Sequence, residues 1–306
     1  NVFVDRVGTV INSNSISNRL PNPDLKPELL SEAEFGVEGR FIDNRLSLDI
    51  TYYSRISKDQ ILDRDIDPSS GFTVTAINAG SVSNKGIELA LGYTAIRNKD
   101  WKWQLDANFT RNRNKVSNLP DDIKQIVIAG FSNEGLFAMN GQPLGVIQAN
   151  FTQKDTKTGA RLTNSNGDYI SSTGIGIIGD PNPDFKLTGI STLSWKGFSF
   201  RMQWDWTQGG DMLSYTAGST VGRGLSKDTD FDRTLPFILP GVKADGTPND
   251  VQISTSRAYF NNLSGFFGMQ DLITYDATNV RLREASISYN LPTAVLNKTP
   301  FGGISL

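Results

Sequence analysis

The chain has 306 residues, 30 Lys and Arg against 32 Asp and Glu, and neither Cys nor His. Near-balanced charge removes the basic footprint that nucleic-acid binding needs, and the missing thiols and imidazoles remove Cys nucleophiles, His general bases and His/Cys metal sites together. No apolar run approaches the ~18–20 residues of a membrane-crossing helix, which leaves strand-built spans open.

Asn1 is not an initiator, and no charged segment followed by an apolar core opens the sequence, so the chain reads as a mature or internal fragment. Val2 and Val4 alternate briefly, and a polar stretch then runs to Leu30. Pro21, Pro23 and Pro27 within it exclude regular helix or central strand and predict an extended connector. From Ala33 to Phe41, apolar residues alternate with Glu34, Glu38 and Arg40. Asp43-Asn44 supplies turn chemistry, and Leu46, Leu48, Ile50 and Tyr52 return opposite Ser47, Asp49 and Thr51, which predicts a hairpin.

A second hairpin follows an Asp/Ser/Gly-rich stretch. Ile87, Leu89, Leu91 and Tyr93 share a face, Asn98-Lys99-Asp100 turns, and Trp101, Trp103, Leu105, Ala107 and Phe109 return against Lys102, Gln104, Asp106 and Asn108. The Gly/Asn-rich excursion from about Arg113 to Asp184 carries one apolar run, Ile126 to Ala129, read as a local strand or as filling for a loop interior. The third hairpin, Leu187 to Trp206, turns at Lys196-Gly197. It sets Phe198, Phe200, Met202, Trp204 and Trp206 against Ser199, Arg201, Gln203 and Asp205. After a further excursion from Gln208 to Thr278, Ala285, Ile287, Tyr289 and Leu291 alternate. Val280 and Leu282 fall on the opposite parity, which predicts a bulge near Arg283-Glu284. Pro292 ends the strand, and Gly302 to Leu306 reads as the start of another.

Two regularities set the class. The apolar parity of these segments carries no charge while the other parity carries many, a pattern demanded by lipid, where a midplane Arg or Lys costs ~2–4 kcal/mol, although a soluble sandwich core also excludes charge. The connectors alternate short and long, with the three long ones at one end of the sheet. Loops beyond ~15 residues are uncommon in compact domains, and this one-sided arrangement is that of outer-membrane barrels. Trp101, Trp103, Trp195, Phe198 and Phe41 stand beside the short turns, where an interfacial girdle belongs.

Four strings narrow the class to a family: Asn22-Pro23-Asp24-Leu25-Lys26-Pro27-Glu28 with Glu34-Phe35-Gly36; Asn78-Ala79-Gly80 with Asn84-Lys85-Gly86-Ile87-Glu88; Ile178 to Phe185 (IGDPNPDF); and Leu282 to Pro292 (LREASISYNLP). In this order and spacing they resemble the C-terminal part of SusC/RagA-type TonB-dependent outer-membrane transporters of Bacteroidota. The resemblance implies an all-β fold in which residues 1–306 form an arc of a large antiparallel transmembrane barrel, about eight of roughly 22 strands, with long extracellular loops. It further implies TonB-dependent import of oligosaccharides or peptides beneath a SusD-like surface lipoprotein. The plug that contacts the TonB complex, and the last strands, would lie outside this sequence. It implies neither enzyme activity nor a cofactor.

On this reading Glu34, Asp49, Glu88, Asp106, Arg201 and Asp205 face a hydrated lumen, where scattered carboxylates are wall groups and not a hydrolase pair. Tyr169, Tyr215, Tyr259, Phe266 and Phe267 are the candidates for ligand contact, by stacking on sugar or packing against the lid. Gly209-Gly210-Asp211 reads as a strand exit and not a phosphate loop. Asn164-Ser165-Asn166-Gly167-Asp168 superficially suggests calcium but lacks the acidic ligands of a calcium loop, so a metal-free turn is expected. Two other functions stay open: a soluble β-sandwich that binds glycans through loop aromatics, and a barrel acting as receptor or scaffold without import.

Overall fold

The computed structural model describes residues 2–4, 6, 8, 10–12, 17–297, 300 and 302–306. Its main feature is one antiparallel sheet of seven strands: β1 (Leu29–Phe41), β2 (Leu46–Lys58), β3 (Ser81–Arg97), β4 (Trp101–Ser117), β5 (Phe185–Trp195), β6 (Phe198–Gln208) and β7 (Asn279–Tyr289). Each strand pairs with its neighbours in sequence, so the sheet is a simple meander with β1 and β7 at its edges. The hairpin turns are as short as expected. Lys196 and Gly197 take φ of 44° and 91°, the left-handed pair that matches the twist of the flanking strands. At the second turn, Asn98 Oδ1 accepts the N–H groups of Asp100 (3.1 Å) and Trp101 (2.8 Å).

Register preserves the alternation across the whole sheet. Tyr52 lies between Phe35 and Ile87, and Leu105 between Tyr93 and Ser191. On the other face Asp49 lies between Glu38 and Ala90, and Arg201 between Thr192 and Ser286. A one-residue slip anywhere would exchange the faces, so the pattern itself specifies the pairing. The expected break in β7 is present. Gln203 pairs with Glu284 and Trp204 with Leu282, which leaves Arg283 bulged and returns Val280 and Leu282 to the apolar face opposite Trp206 and Trp204. A second bulge, at Ala95, falls where the pairing passes from Thr94–Gln104 to Ile96–Trp103.

The strands are longer than the sequence pattern suggests. β2 runs to Lys58, β3 starts at Ser81 and β4 continues to Ser117, so the long connectors shrink to 59–80, 118–184 and 209–278. Ile126–Phe131 is a strand of a four-stranded loop sheet with Glu134–Ala138, Val146–Ala149 and Gly176–Gly179. Val2–Val4 pairs with Val10–Asn12. Beyond β7, Leu306 and Tyr289 exchange N–H···O bonds of 3.0 Å and the Leu291 N–H donates to Ile304 O at 3.0 Å, so the expected eighth strand begins there.

Among the described residues, no protein core covers the apolar face of the sheet. The largest fully buried apolar side chains, Phe137, Ile147, Leu239 and Ile273, belong to the connectors, while Phe35 is 70% exposed and Ile287 74%. A soluble sandwich would need a second sheet on that face. Instead, aromatic belts cross it at two heights. Beside the short turns Trp195 stacks on Trp101 (5.6 Å between centroids) and Phe198 packs on Tyr289 (4.4 Å). At the far end Phe185 meets Phe109 (5.6 Å) and Trp206 (5.0 Å). β5, eleven residues long, joins the belts and rises about 33 Å at about 3.3 Å per residue. A tilt of about 40° reduces this to about 25 Å, the height of the apolar band of outer-membrane barrels. Between the belts Trp103 Nε1 donates to Ser191 Oγ at 3.0 Å. No helix among the described residues is long and apolar enough to cross a membrane.

Candidate functional site

The polar face of the sheet is a hydrogen-bonded wall, and Glu34, Asp49, Glu88, Asp106, Arg201 and Asp205 all lie on it. Their environments divide it in two. On β5–β7, Arg201 Nε meets Glu284 Oε2 at 3.1 Å, the bulged Arg283 Nε donates to Asp205 Oδ2 at 2.7 Å, and Thr188 Oγ1 donates to Asp205 Oδ1 at 2.9 Å. On β1–β4, Glu34, Asp49, Glu88 and Asp106 form no ion pair among the described residues. Asp49, Glu88, Asn108, Thr110, Lys186 and Thr188 line a recess of about 470 Å³. Half-exposed pairs of this kind contribute little stability, but they hold side chains in place along a watery surface.

At the loop end, the recurring strings work as joints. The Asn78 carboxamide accepts from Lys26 N (2.6 Å) and donates to Lys26 O (2.8 Å) and Asp59 O (2.9 Å), while Asn22 Nδ2 donates to Ala76 O (2.9 Å) and Glu28 Oε1 accepts from Ile61 N (2.8 Å). The first two strings thus fasten the proline-rich connector to the first loop hairpin. Asn78→Ala removes three hydrogen bonds at once and is expected to cost about 1–3 kcal/mol locally. The check is limited proteolysis, with cleavage at residues 22–28 accelerating while the strands stay protected.

The third string is the joint of the other two loops. Asp180 N donates to Asp211 Oδ2 (2.8 Å), Asp211 N to Asp180 O (2.7 Å), and Asn114 Nδ2 to Asn182 Oδ1 (2.8 Å); Asp184 pairs with Arg113. Gly209 and Gly210 take φ of 71° and 84°. A Cβ on Gly209 would come within 2.8 Å of Asp184 Oδ2 and one on Gly210 within 3.1 Å of Pro181 O, so the close approach requires glycine. The strand-exit reading of this string is right, and its partner was missed because the two strings lie far apart in sequence.

Loops 118–184 and 209–278 then close over one another as a roof. Its core is Tyr169, Leu239, Ile253, Ala258 and Met269. The Asn164–Asp168 segment is a tight turn in which Asn164 Oδ1 accepts the N–H groups of Asn166 (2.9 Å) and Asp168 (3.1 Å). Its carboxylate is committed across the roof: Arg257 Nε donates to Asp168 Oδ1 at 2.9 Å and Asn262 Nδ2 at 3.1 Å. Burial pushes the Asp168 pKa up, but Arg257 and Asn262 outweigh it and hold the carboxyl below the ordinary range. A depressed value means that this latch is fully present above the unfolded pKa of about 3.9 and is lost as pH falls through the lower folded value. Protection factors of the amides of 257–263, taken relative to the intrinsic exchange rate at each pH, should therefore fall on acidification below about pH 4, and Asp168→Asn should flatten that dependence.

The five loop aromatics part company. Tyr169 is 5% exposed, with its hydroxyl donating to Pro240 O at 2.9 Å and its N–H to Asn262 Oδ1 at 2.8 Å. The expectation of ligand contact is corrected here, because the ring is buried in the roof core, with the Arg161 guanidinium 5.9 Å from its centroid. Tyr215 opens the helix α1 (Tyr215–Gly222) and is 40% exposed; burial, and contact of its hydroxyl with the Glu134 carboxylate, push its phenol well above the ordinary value. Tyr259 lies beneath the Arg233 guanidinium (5.7 Å). Phe266 packs over Gly222, and Phe267, 53% exposed, meets Phe260 edge-on at 5.5 Å. These four line the roof without converging on one point shown by the contacts.

Comparison with known proteins agrees with this architecture. The family model for the TonB dependent receptor-like β-barrel matches residues 3–220. TonB-dependent receptor P3 of Formosa agariphila is 27% identical over 304 residues, covering 91% of this chain and 28% of that protein. TonB-dependent receptor SusC of Bacteroides thetaiotaomicron is 30% identical over 112 residues, covering 36% of this chain and 11% of SusC. The chain thus spans less than a third of these relatives. Among solved structures, the RagAB peptide transporter covers 100% of this chain with 33% of its own, at a TM-score of 0.66 and 21% identity, a likeness of fold. The antiparallel meander, with its apolar exterior, polar wall and long connectors gathered at one end, agrees with that match, and the chain belongs to the TonB-dependent receptor-like β-barrel family as one arc of an outer-membrane barrel.

Proposed function

We propose that residues 1–306 form the C-terminal part of the barrel of a TonB-dependent importer, taking up oligosaccharides or peptides beneath a SusD-like surface lipoprotein. The observation that carries this reading is the polar wall, which runs from the short turns to the roof and presents hydroxyls, carboxamides and carboxylates to water. RagAB is a peptide transporter, and its likeness brings peptides into the substrate range alongside glycans. The carboxylates without an ion-pair partner on β1–β4 favour neutral or cationic cargo over polyanions. Glu34, Asp49, Glu88, Asp106, Arg201 and Asp205 are the lumen-facing groups in this scheme, and Tyr215, Tyr259, Phe266 and Phe267 the roof aromatics available to cargo or lid. Energy coupling through the plug and the TonB complex belongs to the rest of the protein.

The test uses the full-length protein in outer membranes. Uptake of labelled neutral oligosaccharides and peptides is measured with and without TonB, and the detergent-extracted protein is analysed for a co-purifying lipoprotein. TonB-dependent uptake with a lipoprotein partner is the expected result. Binding without uptake would assign the barrel a receptor role instead.

A further inference from the structure

Just beneath the joint at Asp180–Asp184, the polar face of β5–β7 holds a recess of about 430 Å³, within the range of about 300–1,000 Å³ usual for ligand pockets. Its lining carries three cations, Lys186, Arg281 and Arg283, against one carboxylate, Asp205. Register sets Lys186 opposite Thr207 and Thr207 opposite Asn279; one row nearer the short turns, Thr188 is opposite Asp205 and Asp205 opposite Arg281. Lys186 and Arg281 thus stand two strands, about 10 Å, apart on either side of β6, with Thr207 between them.

The bulge creates the surplus of positive charge. By register Asp205 faces Arg281, yet the extra residue brings in Arg283, whose Nε donates to Asp205 Oδ2 at 2.7 Å, while Thr188 Oγ1 (2.9 Å) and Gln203 Nε2 (3.3 Å) donate to Oδ1. Two arginines therefore share one aspartate. Among the described residues Lys186 and Arg281 enter no ion pair, and Arg283 meets Asp205 through Nε, which leaves its two terminal nitrogens for another acceptor. The other carboxylates near the joint are committed: Asp184 to Arg113, Asp211 to the Asp180 N–H, and Asp276 to the Thr278 N–H at 2.8 Å.

We propose that Lys186, Arg281 and Arg283 bind a carboxylate carried by the cargo, with the Thr207 hydroxyl as a further donor. The inference rests on the importer reading for access to the lumen, and adds to it the charge of the group recognised. Guanidinium forks and an ammonium gathered around one hydroxyl suit a planar oxyanion. The unpaired Glu34, Asp49, Glu88 and Asp106 on the same wall oppose a ligand that carries many such groups. The cargo therefore bears its negative charge at one place, as the end of a peptide or as a uronate of an oligosaccharide.

The experiment measures equilibrium binding to the detergent-extracted full-length protein by calorimetry, with two matched pairs of probes. One is an N-acetylated peptide of uncharged residues with a free or an amidated C-terminus; the other is an oligosaccharide ending in a uronate or its carboxyl-reduced form. In at least one pair the acid is expected to bind about tenfold or more tighter than its neutral partner, with the preference shrinking as salt rises. The pair that discriminates names the source. The double variant Lys186→Gln, Arg281→Gln should abolish the preference, and Arg281→Gln alone, the milder change, should reduce it. Lys102→Gln, which removes a charge from the same face near the short turns, should keep it. No preference in either pair would overturn the proposal without reference to any variant. So would a preference that survives in the folded variants, or one lost equally in Lys102→Gln, which would make it a property of the whole wall. Displacement of the acid by millimolar sulfate and not by acetate would show a site for a dianion, and the carboxylate assignment would fall. Uptake enters none of these readouts: acid preference without TonB-dependent uptake removes the importer reading alone, and uptake without acid preference removes this site alone.

Discussion

Leu105→Arg is expected to prevent stable insertion of the barrel. Leu105 lies midway between Trp101 and Phe109 on the outward face, between Tyr93 and Ser191 of the neighbouring strands. A cation there faces the hydrocarbon midplane, where Arg costs about 2–4 kcal/mol, with too little reach to bring its head to either interface. Asn108→Arg, three residues on but directed to the polar wall, is expected to change stability by no more than about 0.5 kcal/mol. Urea unfolding of the full-length protein folded into lipid vesicles measures both. Equal effects of the two would mean that the outward face does not meet lipid.

Tyr169→Ala should release the roof without disturbing the sheet. The ring is buried against Leu239, Ile253, Ala258 and Met269, and truncation of a large buried aromatic costs about 3–5 kcal/mol. The substitution also leaves the Pro240 carbonyl without its hydroxyl donor. Tyr169→Phe keeps the ring and should cost only the hydrogen bond, about 0.5–1.5 kcal/mol. Hydrogen exchange separates the outcomes: in the alanine variant protection over 237–272 collapses while that of β4–β6 is retained. Intact roof protection, with cargo affinity reduced, would restore Tyr169 to the ligand-contact group.

These two residues also mark what was legible in the sequence. Leu105 was readable because a sheet between water and lipid writes its two faces into every second residue, and the same alternation located the turns, the lower girdle and the bulge at Arg283. The upper parts of the strands were not readable. Above the belt the outward face turns polar, so Ser81 to Lys85 and Arg113 to Ser117 lose the contrast that reveals a strand and read as loop. Tyr169 was misread for a different reason. Its partners Pro240 and Asn262 lie far along the chain, and contacts of that separation leave no period in the local sequence. Motif strings such as Ile178 to Phe185 identified the family but not their task, since Asp180, Asn182 and Asp184 find their partners Asp211, Asn114 and Arg113 only in the folded rim.

The bulge at Arg283 bears on the bore of the barrel. Alternation penalises a one-residue slip between β6 and β7 but is blind to a slip of two, which returns every side chain to its proper face. Arg283 breaks that degeneracy, because its guanidinium reaches Asp205 only when Gln203 faces Glu284. The offsets between neighbouring strands add up around a closed barrel to its shear, and shear together with strand number sets its diameter. A single ion pair on the inner wall therefore helps to fix the diameter of the barrel to which this arc belongs.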